Sequence, residues 1–323
     1  MTACLSVIIP TYNGARFIAG TLHSILAQKP ALTEIIIVDD ASKDETCSIV
    51  HSIARNAEIP VKLISLEINS GSPSAPINVG IRHSTEDFIA VVDQDDRITE
   101  NKFTREVGVL GRDVDLSVVC SCSADEKSAE TRLQSRDVLA EITLCGVERD
   151  GYVELAGALF LELLLKHGCF PIGFPGFTFR RSAALSAGGV DERLRIADHD
   201  FLCKLATLGK VAFIPEIGYL RKFHDSNLSG DRLLVGRDFV EVIDRYIPLL
   251  EASARNRCRQ LVVGSLTGIG YLLEDAGEYE QALRCIQIIG RTWGWDRKLA
   301  ARFVKTYSNL LLRPLRAAVS TSS

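Results

Sequence analysis

Closely spaced carboxylates are the residues of this sequence best suited to chemistry. Asp93 and Asp95 follow an apolar run at residues 88–92 and are separated by a single residue. Two carboxylates this close repel each other, and the pKa of one rises unless a cation lies beside them. Mg²⁺ and Mn²⁺ prefer oxygen ligands, commonly one or two carboxylates together with substrate phosphates. The pair therefore predicts a Mg²⁺ or Mn²⁺ site, and a solvated acidic loop is the alternative.

Polar residues also follow two other apolar runs. Pro10, Thr11 and Tyr12 end the first run, and Asp40 ends the run at residues 34–38. An acid at the end of a second strand also occurs in dinucleotide-binding folds, but these need a GxGxxG motif after the first strand. That motif is absent, as is the GxxxxGK[ST] motif of P-loop proteins. An NAD site and a P-loop are therefore excluded. Tyr12 is suited to stacking on a base or to packing at the edge of the core.

Two further candidates lie later in the chain. Asp198 precedes an apolar-periodic segment, where it could act as a general base or cap a helix. His224 lies in a polar segment, where it could contact a metal or a phosphate or simply be solvated. His199, which directly follows Asp198, is expected to be a packing or surface residue.

Alternating periodicities predict the elements that position these residues. Strand-like apolar runs alternate with helix-like spacing over the first 122 residues, which is typical of βαβ units in an α/β fold with a mostly parallel sheet. Residues 42–45 have the spacing of a capping box. Residues 123–150 are polar and are expected to form a surface excursion, and the chain after residue 230 is predicted to be helical. Because ligands bind beyond the carboxyl ends of parallel strands, the acidic clusters are expected to converge at one edge.

Seven segments in order resemble the inverting family 2 glycosyltransferases, which have the GT-A (Rossmann-like) fold. The segments are residues 5–13, 36–44, 78–81, 93–96, 188–192, 197–200 and 221–229. The resemblance covers roughly residues 4–230 and implies a GT-A catalytic domain at 1–230, with a nucleotide-sugar-binding half at 1–122 and an acceptor half at 123–230. Residues 231–323 form a helical C-terminal region outside it.

The resemblance also implies a role for each candidate. Thr11, Tyr12 and Asp40 contact the base, with Pro10 and Asn78 also on the donor side, and Asp93 contacts the ribose. Asp95 binds the Mg²⁺ or Mn²⁺ ion that bridges the diphosphate, with His224 as a second ligand. Asp198 deprotonates a hydroxyl of a glycan or lipid-linked acceptor, and the donor is expected to be UDP-linked. A catalytically silent nucleotide-sugar-binding scaffold remains the alternative.

Charge and cysteine content limit partners and location. Residues 1–230 carry 23 Lys/Arg against 31 Asp/Glu, a balance of −8, which makes nucleic acid an unexpected partner. Nine cysteines without a CxxC spacing favour a reducing, cytoplasmic setting, and the first apolar run is interpreted as a strand rather than a signal peptide. Residues 291–316 carry seven Lys/Arg against one acid among apolar residues. This pattern suits either a peripheral membrane contact or the solvated face of a packed helix.

Overall fold

Strands and helices alternate along the first part of the chain. The computed structural model describes residues 5–28, 31–126, 135–168, 173–225 and 230–320. The strands in this part of the chain are β1 (Leu5–Thr11), β2 (Leu32–Asp39), β3 (Val61–Ser65), β4 (Phe88–Val91), β5 (Arg97–Ile98), β6 (Leu116–Asp125), β7 (Val147–Arg149), β8 (Tyr152–Leu155), β9 (Phe177–Arg180) and β10 (Lys210–Arg221). The helices are α1 (Ile18–Leu26), α2 (Thr46–Ala54), α3 (Ser74–His83), α4 (Lys102–Leu110), α5 (Ser135–Cys145), α6 (Gly157–His167), α7 (Arg181–Ser186), α8 (Asp198–Leu208), α9 (Arg232–Tyr246), α10 (Ala252–Asp275), α11 (Tyr279–Trp293) and α12 (Arg297–Ser320).

These strands form one sheet in the order β3-β2-β1-β4-β9-β6-β10-β8-β7, and β5 pairs with β10. The strands β3, β2, β1 and β4 are mutually parallel, as are β6 and β10. The strand β9 lies antiparallel between β4 and β6, and β8 is antiparallel to β10. The expected α/β class with a central, mostly parallel sheet flanked by helices is confirmed.

The first two strands contain continuous Ile/Val runs, and these runs are buried on both faces of the sheet. All seven residues of β1 are buried, and β2 ends in five buried residues. Strands buried on both faces have continuous Ile/Val runs instead of an alternation. Their carboxyl ends meet: Asp40 N–H donates to Thr11 O at 2.8 Å, and Val92 N–H donates to Ile8 O at 2.9 Å. The loops that carry the candidate residues therefore leave the sheet at one edge, as predicted.

The surface excursion expected at residues 123–150 is wrong in part. The strand β6 continues to Asp125, and α5 and β7 lie in the same stretch. The polar residues of β6 are accommodated because they have partners: Ser117 Oγ donates to Leu205 O at 2.9 Å and Ser121 Oγ to Glu106 Oε1 at 2.7 Å. A buried serine is tolerated in a core strand when it is hydrogen-bonded, so such a strand cannot be recognised from its apolar residues alone.

The contacts of the chain divide it into two compact units. The sheet unit contains residues 1–164 and 169–228, and the helical unit contains residues 165–168 and 229–323. In the helical unit, the Asp231 carboxylate caps α9 by accepting from Leu233 N–H and Leu234 N–H, each at 3.0 Å. The turn between α10 and α11 contains Gly277 at φ +76°, a left-handed conformation that favours glycine. Within the described ranges, none of the helices has the length and apolarity of a membrane span.

Candidate active site

The loop after β1 is fastened to the loop after β4 by the side chain of Gln94. Gln94 Oε1 accepts from Thr11 Oγ1 at 2.6 Å and from Tyr12 N–H at 3.0 Å, and Gln94 Nε2 donates to Tyr12 O at 3.2 Å. A Cβ on Gly14 would lie 2.2 Å from the same amide oxygen, so only glycine allows this approach. The expected base-contact residues and the acidic motif therefore form one connected structure.

The next loop residue, Asn13, is held by the segment before α2. Asn13 has φ +48°, its N–H donates to Ser42 Oγ at 2.8 Å, and its Oδ1 accepts from Lys43 N–H at 2.8 Å. The capping box expected at Ser42 is therefore wrong, because this hydroxyl binds the β1 loop. Asp44 instead accepts from Thr46 N–H at 3.0 Å at the start of α2.

Tyr12 follows β1 and Asp40 follows β2, so the two residues come directly after neighbouring parallel strands. The Tyr12 side chain is 44% exposed, so its ring is accessible to a ligand. Asp40 is buried, and its carboxylate accepts from Ser70 N–H at 2.9 and 3.0 Å and from Ser70 Oγ at 2.9 Å. The carboxylate is thus oriented by the segment before α3.

Negative charge accumulates after β4. Burial, and then the neighbouring charge of Asp95, raises the pKa of Asp93 to about 7, while Arg221 acts in the opposite direction. Burial and the charges of Asp93 and Asp95 also raise the pKa of Asp96, whose Oδ1 accepts from Lys222 N–H at 3.1 Å. Raised carboxyl pKa values mark a cluster whose negative charge the protein's own cations balance only in part.

His224 meets this cluster from the chain after β10. Its Nε2 lies 2.6 Å from Asp95 Oδ2, and both side chains are mostly buried. The imidazole is stacked on the Phe17 ring, with centroids 4.6 Å apart and planes 13° apart. The aromatic contact fixes the ring plane, so the nitrogen is directed at the carboxylate. The segment Arg221–Ser229 of the resemblance is described only to residue 225.

Asp95 and His224 together fit a divalent cation that takes its remaining ligands elsewhere. Within the described ranges, no group of three His, Cys, Asp or Glu side chains converges to hold a metal by itself. One carboxylate oxygen and one imidazole nitrogen at this distance are a partial donor set, and Mg²⁺ or Mn²⁺ usually completes such a set with phosphate oxygens and water. The surplus negative charge beside them favours a cation there.

Asp198 opens α8 in the same unit. Its Oδ1 accepts from His199 N–H at 2.8 Å, and a Cβ on Gly173 would lie 3.7 Å from its Oδ2. The charge of Asp198 also contributes to the raised pKa of Asp93, so the two carboxylates are close enough to interact. Gly173 N–H donates to the buried Tyr219 hydroxyl at 3.0 Å, which fixes the segment beside Asp198. His199 is buried, as its packing role predicts, with Nε2 3.1 Å from Leu164 O.

Two expected donor-side residues have structural partners. Pro10 is buried within β1, opposite Val38 of β2. Asn78 Nδ2 donates to Val190 O at 2.9 Å and to Glu192 Oε1 at 2.8 Å, and its Oδ1 accepts from Val190 N–H at 2.8 Å. These bonds occupy both amide hydrogens, so Asn78 serves here to hold the loop before α8. A direct donor contact by either residue stays a prediction.

Sequence reasoning missed three positioning residues. Gln94 lies between the two acids of its motif, but nothing in the sequence pairs it with Tyr12. Phe17 is one of several apolar residues near α1, and its stacking on His224 bridges more than 200 positions. Tyr219 follows an apolar run and resembles a core residue. Only the sheet topology brings these partners together.

Comparisons with known proteins agree with this architecture. A family model described as glycosyl transferase family 2 matches residues 6–185. Poly(ribitol-phosphate) beta-N-acetylglucosaminyltransferase TarS of Staphylococcus aureus strain Mu50 is 40% identical over 97 residues, which are 29% of this chain and 17% of TarS. The match therefore spans less than a fifth of that relative's length.

Solved structures show the GT-A fold. S. aureus TarS 1–349 in complex with UDP-GlcNAc superimposes with a TM-score of 0.67 at 19% identity, covering 96% of this chain and 91% of that one. The mannosyltransferase PcManGT of Pyrobaculum calidifontis, in complex with GDP-Man and Mn²⁺, gives a TM-score of 0.56 at 19% identity, covering 98% and 83%. With the family model matching more than half of its length, the chain belongs to glycosyl transferase family 2.

Proposed function

We propose that this protein is a metal-dependent inverting glycosyltransferase that moves a sugar from a nucleotide-sugar, UDP-linked in our proposal, to a hydroxyl of a glycan or lipid-linked acceptor. The observation that carries the proposal is the pairing of Asp95 with His224 at 2.6 Å, next in sequence to Gln94, whose amide holds the loop of the exposed Tyr12. These residues follow the carboxyl ends of the parallel strands, which is the edge of the sheet where α/β proteins bind nucleotides.

In this proposal, different residues contact the base, the ribose and the diphosphate of the donor. Tyr12 stacks on the base, while Thr11 and Asp40 contact its edge and Asp93 contacts the ribose. Asp95 and His224 hold Mg²⁺ or Mn²⁺, and this ion supplies the positive charge that stabilises the departing diphosphate. Neighbours within the fold hold Thr11, Asp40 and His224. These three side chains therefore need little reorganisation on binding.

Asp198 acts as the general base in this proposal. Its carboxylate accepts the proton of the acceptor hydroxyl as the oxygen attacks the anomeric carbon and the nucleoside diphosphate leaves. A base that activates the nucleophile on the face opposite the leaving group inverts the anomeric configuration. The bond from His199 N–H orients Oδ1 of Asp198, and Oδ2 lies on the side of Gly173.

Turnover tests the proposal. Release of nucleoside diphosphate is measured from a panel of nucleotide-sugars, with cell-envelope glycan and glycolipid preparations as acceptors, for the wild type, Asp198→Asn and Asp150→Asn. Asp150 is a matched control because its side chain is 96% exposed. We expect Asp198→Asn to lose at least a hundredfold in turnover while retaining donor affinity. Donor binding without turnover in the wild type would support the silent scaffold instead.

The location of the protein remains a prediction. The sequence favours a cytoplasmic setting, and the domain boundaries drawn at residues 122 and 230 are likewise proposals. The exposed apolar residues in the described part of α12 support the peripheral membrane contact predicted at residues 291–316.

A further inference from the structure

The last helix, α12, has apolar residues both on a packed side and on an exposed side. On one side, Thr306 is completely buried and Phe303 and Leu310 are half-buried. On the other side, Val304 is 63% exposed and Leu311 is 59% exposed, with Tyr307 between them at 46%. Positions 304, 307 and 311 have the i, i+3, i+7 spacing of a single helix face. We call these three residues the outer stripe.

The orientation of the outer stripe is fixed by contacts within the helical unit. Arg302 Nη2 lies 3.3 Å from Glu274 Oε1 of α10, and Thr306 Oγ1 donates to the same oxygen at 2.9 Å. The Arg302 guanidinium also lies 3.8 Å from the centre of the Tyr271 ring. Because these residues fasten the inner side of α12 to α10, the outer stripe is a fixed feature of the surface.

The helix carries positive charge only. The sequence of Arg297–Ser320 contains no Asp or Glu and six basic residues, which are Arg297, Lys298, Arg302, Lys305, Arg313 and Arg316. Lys298 and Lys305 are exposed in the described part of the helix. An exposed apolar stripe on a helix with a basic polar surface is the pattern of helices that lie in the interface of anionic membranes.

Aromatic residues extend the stripe. Trp295, just before the helix, is 51% exposed and contacts Phe303 edge to face at 5.6 Å, and Phe303 stacks on Tyr307 at 6.1 Å. Half-exposed Trp and Tyr side chains suit a boundary between lipid and water, because each has an apolar body and a polar group. A second copy of this chain would bring its exposed Lys298 and Lys305 close to those of the first copy, which disfavours self-association there.

We propose that α12 docks on an anionic membrane surface, with Val304, Tyr307 and Leu311 entering the interface and Lys298 and Lys305 contacting lipid phosphates. This inference does not depend on the proposed glycosyl transfer, because lipid binding needs neither nucleotide nor metal. Its failure would leave the donor site untouched.

Vesicle co-sedimentation of the full chain tests the docking. The vesicles are phosphatidylcholine alone or phosphatidylcholine with 30% phosphatidylglycerol, at low and high salt, and circular dichroism checks the fold of each variant. The apolar test variant is Val304→Ser/Leu311→Ser. Its control is Val114→Ser/Leu144→Ser, which makes the same changes at two residues each 85% exposed. The charge variant Lys298→Glu/Lys305→Glu is compared with Arg55→Glu/Arg82→Glu at exposed positions elsewhere.

We expect binding to the anionic vesicles that salt weakens, together with at least a tenfold loss in both α12 variants and less than a twofold loss in both controls. Absence of binding to anionic vesicles would overturn the proposal. Equal losses in test and control variants would also overturn it, because the attraction would then be unspecific. Concentration-dependent dimerisation that Val304→Ser/Leu311→Ser abolishes would assign the stripe to a second copy and overturn the proposal as well.

Discussion

Gln94 connects the part of the site that would hold the base to the part that would hold the metal. Its side-chain amide hydrogen-bonds to Thr11 Oγ1 and to both the N–H and the carbonyl oxygen of Tyr12. Its main-chain carbonyl oxygen accepts from Thr21 Oγ1 at 2.7 Å. The residue has no need to touch a ligand in order to affect binding. It acts by holding the Tyr12 loop in position.

Replacing Gln94 with Ala is expected to weaken UDP binding about tenfold in the presence of Mn²⁺, equivalent to about 1.4 kcal/mol, because the Tyr12 loop loses its fastening. Isothermal titration calorimetry measures the change, with the exposed Gln260→Ala as control. Gly14→Ala displaces the same amide from the other side and is expected to lower affinity similarly. Unchanged affinity in both variants would show that the loop is held by other contacts.

At the scale of elements, a buried ion pair joins α4 to the sheet. Lys102 Nζ and Glu106 Oε2 form a close pair one helical turn apart, and both side chains are almost completely buried. Glu106 also accepts from Ser121 Oγ of β6 at 2.7 Å and from Thr178 Oγ1 of β9 at 2.6 Å. Burial lowers the pKa of Lys102, and the charge of Glu106 opposes that shift. The pair therefore fixes α4 against two strands.

Breaking this pair from one side should cost more than removing it. Glu106→Gln leaves the Lys102 ammonium buried beside a neutral amide, so we expect the free energy of unfolding to fall by about 3–5 kcal/mol. Lys102→Met/Glu106→Gln removes both charges and is expected to recover much of that loss. Urea unfolding of the two single variants and the double variant measures the coupling. Strictly additive losses would contradict the account.

His199 makes the attachment of α8 sensitive to pH. Burial lowers the pKa of this imidazole to about 4, below its ordinary 6.5, so the unfolded chain binds the proton more readily. Its contribution to stability is complete above pH 6.5 and declines as pH falls toward 4, by roughly 3 kcal/mol in total. Asp93 and Asp96 act in the opposite direction, since their folded pKa values are raised.

The difference between variants isolates this effect. His199→Gln keeps an N–H donor for Leu164 O and cannot become charged, so it is expected to gain stability relative to the wild type as pH falls from 6.5 to 4. Urea midpoints at several pH values measure this difference, with the exposed His51→Gln as control. A difference that stays constant across the range would refute the assignment.

The strands and the convergence of their acidic ends were predictable because apolar runs and parallel connections leave few arrangements. The polar end of β6 was not predictable, because each serine there depends on a partner that is distant in sequence. The candidate residues Asp95 and His224 were predicted, and the structure brings them into contact. The supporting residues were not predictable, because the stacking of Phe17 on His224 and the hydrogen bonds of Gln94 to the β1 loop depend on three-dimensional proximity alone.

At the scale of the whole molecule, the donor site and the outer stripe of α12 belong to different units of the chain. The sheet unit contains every candidate residue for nucleotide binding, metal binding and proton transfer, and it lies within the first 230 residues, whose charge balance is −8. The helical unit contains the basic helix with its exposed apolar stripe. Separate tests can therefore address the two proposals in the same intact protein.

We propose that a nucleoside diphosphate and a divalent cation bind together at Asp95 and His224. The most direct test is the thermal shift of the full chain with UDP, GDP, CDP and ADP, with and without Mn²⁺, for the wild type, Asp95→Ala and the exposed control Asp150→Ala. We expect a shift with UDP that requires Mn²⁺, persists in Asp150→Ala and disappears in Asp95→Ala. A shift that is independent of Mn²⁺ and of Asp95, or no shift with any nucleotide, would contradict it.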